Sequence, residues 1–426
     1  ESPTKENLLF SFRDETGKEV CQLPFLLDFK GWRCIWAKFQ GDMNMSSKSN
    51  IQSVEIQFPQ HTKKGVTYID LLEFTSKVSW QNMSDAQYKV NRTDYSLIPD
   101  FIGYRNATPK VEKVITAEDN QITTITDRLT TWYLGSGQHS SERWIKMRTE
   151  NEKTFIRNGV KAAQKIKIQY TEDHTPQGEP LFPMGAPTII DGQEAKKFRS
   201  INENILLPLA LDYRKNQNDQ SLKKALYIYD WFNDQGWADG SSMGTLCFEK
   251  LRSSGYFHSF FLLKEQLSPE QLKRELQTMN WFTMFGACYQ LPSHAGEVAD
   301  NLRALAIPKL IYALSQNDKQ EREVALTAFK HYMDNALGIA PGFFGTFKAD
   351  FSGYHHRGPY HSAYYPHALY AGALIAYLLH DTPYALSETT LHNLKQGLLT
   401  FRFFCAGLEV PAGTVGRFPK GQQILE

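Results

Sequence analysis

The chain has 426 residues, 41% hydrophobic and 22% charged, a globular composition long enough for a large core and more than one domain. Its 47 Lys and Arg against 46 Asp and Glu leave a net charge of +1, so a polyanionic partner must be drawn by cations gathered locally. The five cysteines (Cys21, Cys34, Cys247, Cys288, Cys405) form no Cys-x-x-Cys pair, which argues against a disulfide framework and a zinc ribbon, and no apolar run reaches membrane-spanning length.

Residues 7–110 read as strands. Segments 8–12, 25–29, 34–39, 51–58 and 66–74 are short and rich in β-branched and aromatic residues, with glycine turns between them. Val54-Glu-Ile-Gln-Phe58 shows the inside/outside alternation most cleanly. Such strands predict an antiparallel sandwich over residues 1–110. Its edges need partners, and the chain opens on what reads as an interior strand, so the start of the domain is expected to be missing. No signal peptide is visible at Glu1. Asn44, Asn82, Asn91 and Asn106 each begin an Asn-x-Ser/Thr sequon, relevant only in a eukaryotic secretory pathway.

From about residue 111 the apolar period becomes helical. Segments 118–134, 140–163, 202–213, 221–232, 257–267, 269–285, 298–314, 319–337, 367–379 and 387–404 all carry it. Ser268-Pro-Glu-Gln271 is a capping box with proline at the first helical position, and Pro308 is expected to kink its helix. Ten helices without intervening strands predict an all-α domain over 111–426, compatible with hairpins closing into an incomplete toroid. The whole is then an α+β multidomain chain. Loops 165–197 and 338–354 are long, as functional loops commonly are.

The chemistry concentrates at 353–366, Gly-Tyr-His-His-Arg-Gly-Pro-Tyr-His-Ser-Ala-Tyr-Tyr-Pro. Imidazoles, phenols and a guanidinium at a loop-to-helix junction are poor core material and suit proton transfer on a polar, anionic substrate. A phenol is a feeble base near neutral pH unless a cation stabilises its phenolate, and His355, His356 and Arg357 stand beside Tyr360 and Tyr364. A second basic cluster follows at Val415-Gly-Arg417-Phe-Pro-Lys420. As metal ligands, His355, His356, His361 and His367 lack an HExxH pattern or a spaced carboxylate. Carboxylate pairs for glycoside hydrolysis are a further option, with Asp230, Asp234 and Asp239 around Trp231 and Trp237, and Glu297 and Asp300 near a helix start. Lys and Arg are spread rather than striped, so no nucleic-acid module is expected, and P-loop, dinucleotide and nucleophile-elbow motifs are absent.

Several segments together resemble the polysaccharide lyase group of chondroitin ABC, chondroitin AC and hyaluronate lyases, with the chondroitin ABC lyases most alike. Leu27-Asp-Phe-Lys-Gly-Trp-Arg33 resembles a signature of their sandwich, and Val66-Thr-Tyr-Ile-Asp-Leu-Leu-Glu-Phe74 a following strand. Asp234-Gln-Gly-Trp-Ala-Asp-Gly-Ser241 is similar to the approach to their first catalytic loop. His356-Arg-Gly-Pro-Tyr360 with Tyr364 is similar to their His/Tyr loop. Leu379-His-Asp-Thr-Pro-Tyr384 and Gly416-Arg417-Phe-Pro resemble later elements. The likeness runs along nearly the whole chain, and its order is more specific than any one motif.

The resemblance implies β-elimination at the uronic acid of chondroitin, dermatan or hyaluronan, giving unsaturated oligosaccharides. The alternative, motivated by the altered loop at 247–252, is a glycan-binding toroid that has lost catalysis. The lyase resemblance implies Tyr364 as general acid, and as base for glucuronate. His356 is implied as base for iduronate or as a carboxylate contact, and Arg417 as the cation that stabilises the phenolate. The spacing of Tyr360 and Tyr364 fits the hyaluronate and chondroitin AC register and would make His355 the imidazole instead; both stay open. The loop that contacts the uronate in the chondroitin ABC enzymes is here Cys247-Phe-Glu-Lys-Leu-Arg252, so Arg252 or His258 is left to neutralise the carboxylate. Arg357, Tyr360 and Trp237 complete the expected substrate contacts. The resemblance requires no cofactor, and a structural Ca²⁺ in the sandwich would need ligands that no motif supplies. It also implies a sulfated glycosaminoglycan partner, no nucleic acid or membrane, and a secreted or periplasmic location. β-sheet domains carrying a further catalytic Glu are expected beyond residue 426, as in a protein of about twice the size.

Overall fold

The computed structural model describes residues 4–424 except 34–35, 61–65, 70–71, 77–100, 136–141, 182–195, 242–250, 408 and 417–422. Strands β1 (Asn7–Arg13), β2 (Glu19–Leu26) and β3 (Ser53–Gln57) form an antiparallel sheet in the order β2-β1-β3. The period of two sets its faces. Leu8, Phe10 and Phe12 turn inward beside Cys21, Phe25 and Met43, while Phe10 pairs with Leu23 on one side and Ile56 on the other. Of the strands expected at 34–39 and 66–74, the described residues carry neither. Aromatic packing holds that part of the chain instead, with Phe39 stacked on Phe74 at 5.7 Å.

The helical region contains each of the ten expected helices. They are α2 (Asp119–Leu134), α3 (Arg143–Ala163), α5 (Leu207–Asn216), α6 (Asp219–Asp234), α7 (Ser254–Leu263), α8 (Pro269–Thr283), α10 (Ala299–Leu314), α11 (Lys319–Ala336), α12 (Tyr365–Leu379) and α13 (Glu388–Phe404). Among the described residues three short helices escaped the periodicity: α1 (Phe101–Arg105), which falls within the range read as strands, α4 (Lys196–Ile201) and α9 (Gly286–Tyr289). Segments of four to six residues are too short to display a period. Ser268 caps α8 as expected, its hydroxyl accepting from Gln271 N at 3.2 Å and its N–H donating to Gln271 Oε1 at 3.1 Å. Pro308 lies inside α10 without ending it. Between α4 and α5 the chain widens into a π turn, Asn202–Leu206, just before Pro208 removes a backbone donor.

One apolar core runs through the helices, with α3, α5, α6 and α7 packed as neighbours at one side and α10, α11, α12 and α13 at the other. The two regions of the chain meet at segments 27–33 and 234–241. Lys30 N donates to Asp239 O at 3.0 Å, and Arg33 Nε to Gly240 O at 2.7 Å. Arg105 bridges both, pairing with Asp239 at 2.7 Å and donating to Asp28 O at 2.5 Å. Gly31 (φ +79) leaves no room for a Cβ, which would stand 2.4 Å from Gly236 O.

Candidate active site

The loop before α12 is built as a platform. Thr346 O accepts from Tyr354 N at 2.8 Å, after which β4 (Tyr354–His355) turns back into β5 (Gly358–Pro359). His356 and Arg357 form the turn with φ of +49 and +67. Two adjacent non-glycine residues in the left-handed region cost about 1–2 kcal/mol each, and they hold both side chains out at the exposed tip. Tyr360 N then donates to Gly353 O at 2.8 Å, and His361 N to Thr414 O at 2.7 Å, tying the loop to the chain after α13.

Tyr364 sits at the N-cap of α12, half-buried among rings. Its ring stacks on His355 with centroids 4.0 Å apart and planes at 23°. Tyr360 meets it edge-on at 4.6 Å, and His356 at 5.6 Å. From α10, the Arg303 guanidinium lies 5.7 Å from the Tyr364 centroid and pairs with Asp300 at 2.7 Å. Asp300 in turn stands 3.4 Å from His355 Nε2. At that length the contact is an ion-pair approach and not an aligned hydrogen bond. Burial pushes the Asp300 carboxyl up, but His355 and Arg303 outweigh it and hold it at about 2. His367, one turn into α12, is held below its ordinary value by desolvation and by Arg303.

The structure therefore gathers His355, His356, Arg357, Tyr360 and Tyr364. It also corrects parts of the expected set. Tyr360 is 1% exposed, so it is the floor under Tyr364 and not an open contact. Trp237 is also 1% exposed and lies flat on Phe282 at 3.6 Å, a core residue and not a sugar platform. His258 hydrogen-bonds through Nδ1 to the Tyr133 hydroxyl beside Trp132, and burial drives its imidazole down to about 4. It is neutral near pH 7 and unfit to hold a carboxylate by charge. Arg252 has its backbone carbonyl held by Asn202 at 2.9 Å, with burial lowering its guanidinium from the usual value. Arg417 and residues 247–250 lie outside the described residues. Gly416 (φ +61) is described, and its α-carbon lies so near the Tyr360 ring that a Cβ would come within 2.3 Å.

The carboxylates considered for hydrolysis are occupied. Asp230 accepts from Arg274 at 2.8 Å, Tyr170 at 3.0 Å and Gln271 at 3.0 Å, and Asp239 is held by Arg105. His361 accepts from Gly353 N at 3.1 Å, and burial lowers its imidazole to about 4. Among the described residues no group of three or more His, Cys, Asp or Glu could hold a metal, and no helix is long and apolar enough to cross a membrane. Arg303 was the residue missed, and Asp300, named only as a candidate carboxylate for hydrolysis, turns out to be the partner of His355. In sequence they look like an acidic and a basic residue on the first turn of an amphipathic helix; their partner lies some fifty positions later.

Comparison with known proteins gives a concordant picture. Residues 108–426 match the family model described as lyase, catalytic, and residues 1–90 that described as lyase, N terminal. The chain is 25% identical over 460 residues to a chondroitin sulfate ABC exolyase of Bacteroides thetaiotaomicron, covering 100% of this chain and 42% of the relative. It is 24% identical to a chondroitin sulfate ABC endolyase of Proteus vulgaris, covering 94% and 41%. The chain thus spans under half the length of these relatives. Among solved structures, a Paenibacillus xanthan lyase aligns with TM-score 0.54 and 13% identity over 70% of this chain and 27% of its own. A Streptomyces coelicolor A3 chondroitin AC lyase in complex with chondroitin sulphate aligns with TM-score 0.51 and 11% identity, covering 66% and 36%. These likenesses carry the fold, an α/α toroid behind a small antiparallel sheet.

Proposed function

We propose, from the premise that this chain belongs to the lyase catalytic-domain family, that it cleaves a sulfated glycosaminoglycan by β-elimination at the uronic acid. Chondroitin and dermatan sulfate are the substrates we assign, following the chondroitin ABC relatives. The observation that carries the assignment is the stack of His355 on Tyr364, flanked by Asp300 and Arg303.

The reaction needs three things: a partner for the uronate carboxylate, a base for the C5 proton, and an acid for the departing 4-linked oxygen. In this assignment the Tyr364 phenolate takes the C5 proton of glucuronate, the C4–O bond breaks as the C4–C5 double bond forms, and the phenol returns the proton to the leaving oxygen on the same face. At iduronate, whose C5 proton lies on the opposite face, His356 takes it and Tyr364 protonates the leaving oxygen. Arg303 brings a guanidinium from α10 to 5.7 Å from the Tyr364 ring centroid. Asp300 orients His355 against the ring, while His356, exposed at the turn tip and edge-on to Tyr364 at 5.6 Å, can reach the sugar. Arg357 beside it is likewise exposed to meet an anionic substrate. A polymer of this kind places the enzyme's work outside the cytoplasm.

The test is direct. The full chain is incubated separately with chondroitin sulfate, dermatan sulfate and hyaluronan while ultraviolet absorbance is followed. Elimination creates a C4–C5 double bond conjugated with the carboxylate and a rising signal. Hydrolysis gives reducing ends without it. Absence of the signal from all three polymers removes the elimination reading.

A further inference from the structure

The chain is almost neutral overall, but its cations are not spread throughout as the sequence first suggests: one helix gathers them into a stripe. Between residues 143 and 167 eight Lys and Arg face only Glu150 and Glu152, a local +6 that leaves −5 for the rest of the chain. Most of these cations lie on α3. Lys146, Glu150, Lys153, Arg157 and Lys161 recur every three or four residues and so share one face of a helix about 30 Å long. All of them are exposed. The side chains of Lys146, Arg157 and Lys161 make no hydrogen bond or ion pair among the described residues.

The opposite face of α3 is already spent, with Ile156, Gly159 and Ala163 buried against α5 and the π turn. The basic face borders a groove of about 510 Å³, with Lys153, Arg157 and Lys161 on one wall and Lys215 on the other. The groove's two acids are engaged: Glu152 pairs with Lys215, and Asp212 accepts from Asn216 and Asn218 at 2.7 Å and Ser221 at 2.5 Å. The catalytic loop belongs to the other side of the core, on α10, α12 and α13.

We propose that this face of α3 and its groove anchor a sulfated glycosaminoglycan chain away from the catalytic loop. The identity of the polymer rests on the function proposed above; the site itself rests on the charge pattern. Regularly spaced anions along a polymer match cations repeating at about 5 Å along a helix. Release of counterions supplies the affinity, and holding the chain at a second point raises its effective concentration at the first. A membrane surface fits less well, because Ile156, Gly159 and Ala163 of α3 are in the core, leaving only Trp144 and Met147 at the helix start as large exposed apolar groups. Single-stranded nucleic acid would want stacking rings between the cations, and this stripe has none.

The full chain and its K153Q/R157Q/K161Q variant are compared for binding to immobilised chondroitin sulfate across a salt series, and for turnover of the polymer and of a tetrasaccharide. Circular dichroism confirms the fold of each. We expect polymer affinity to fall about tenfold and the salt slope to drop by about 2, at roughly 0.7 per lost contact. Tetrasaccharide turnover is expected to stay unchanged. Glu150→Gln, which removes the carboxylate paired with Lys153 at 2.8 Å, is expected to tighten polymer binding. Unchanged affinity and slope in the triple variant overturn the anchoring site, as does tighter binding of duplex DNA or anionic vesicles than of chondroitin sulfate. If the parent yields no unsaturated product yet the triple variant loses polymer binding, the anchor stands and the elimination reading falls.

Discussion

His355 lies flat against Tyr364, centroids 4.0 Å apart, while its Nε2 stands 3.4 Å from Asp300 on another helix. The imidazole is 8% exposed, so its orientation is set by these two neighbours and not by solvent. A phenol that must take and return one proton needs its ring held still, and the stack supplies that restraint.

Replacing Tyr364 by Phe keeps the stack and removes the hydroxyl. Turnover is expected to fall by about a hundredfold or more, the usual scale for losing a proton-transfer group, with polymer binding retained. Initial rates from the ultraviolet assay, set beside affinity for immobilised chondroitin sulfate, check this. Residual rates near the parent's would remove Tyr364 from the chemistry.

Asp300→Asn separates orientation from proton transfer. It leaves Arg303 and His355 without their anion, and kcat is expected to drop roughly tenfold with little change in KM, a cost on the order of 1.4 kcal/mol. Its acidic behaviour follows from the low carboxyl value. The folded group, at about 2, lies below the ordinary 3.8, so its stabilisation is present above about pH 4 and is lost as pH falls towards 2. Acid unfolding curves of parent and variant should therefore converge at low pH.

Two histidines predict sensitivity at milder acidity. His258 and His361 are both lowered by burial to about 4, against 6.5 when unfolded. Above about pH 6.5 both states are neutral and nothing is lost. As pH falls from there to about 4, the unfolded chain binds protons that the folded chain refuses, and stability drops by at most about 3 kcal/mol for each histidine. Melting temperatures between pH 7.5 and 4.5 measure it, and His258→Gln should flatten part of the decline.

Gly416→Ala tests the tie between the catalytic loop and the chain after α13. A Cβ at this position would approach the Tyr360 ring to 2.3 Å, and φ of +61 already favours glycine. We expect the displaced ring to take Tyr364 with it, lowering kcat about tenfold or more while the melting temperature changes by only a few degrees. Parallel kinetics and thermal melts decide this.

Helices were legible because those such as α3 and α6 bury one face against a common core, which writes a 3.6-residue period into the sequence, while α7 and α10, buried nearly all round, read as apolar runs too long for strands. The sheet was less so. Residues 66–69 and 72–74 look like a strand because they are β-branched and aromatic, yet Tyr68, Leu72 and Phe74 are exposed without a ladder. Composition reports what a residue would pack against, not whether a partner strand arrives. At the site, the loop announced itself through its density of rings. Asp300 and Arg303 did not, since their meaning comes from a contact made only when α10 lies beside the loop. Trp237 misled for the converse reason: an indole near acids resembles a sugar platform until Phe282 is found covering it.

The meeting of Gly31 and Gly236 bears on how such chains can be recombined. The two backbones approach so closely that a single methyl group on Gly31 would collide with the carbonyl of Gly236, and Arg105 threads between both segments. Segments 27–33 and 234–241 are therefore one interlocked unit written in two places. A chimera that grafts the sheet of one homologue onto the helices of another will assemble only if both segments come from the same parent.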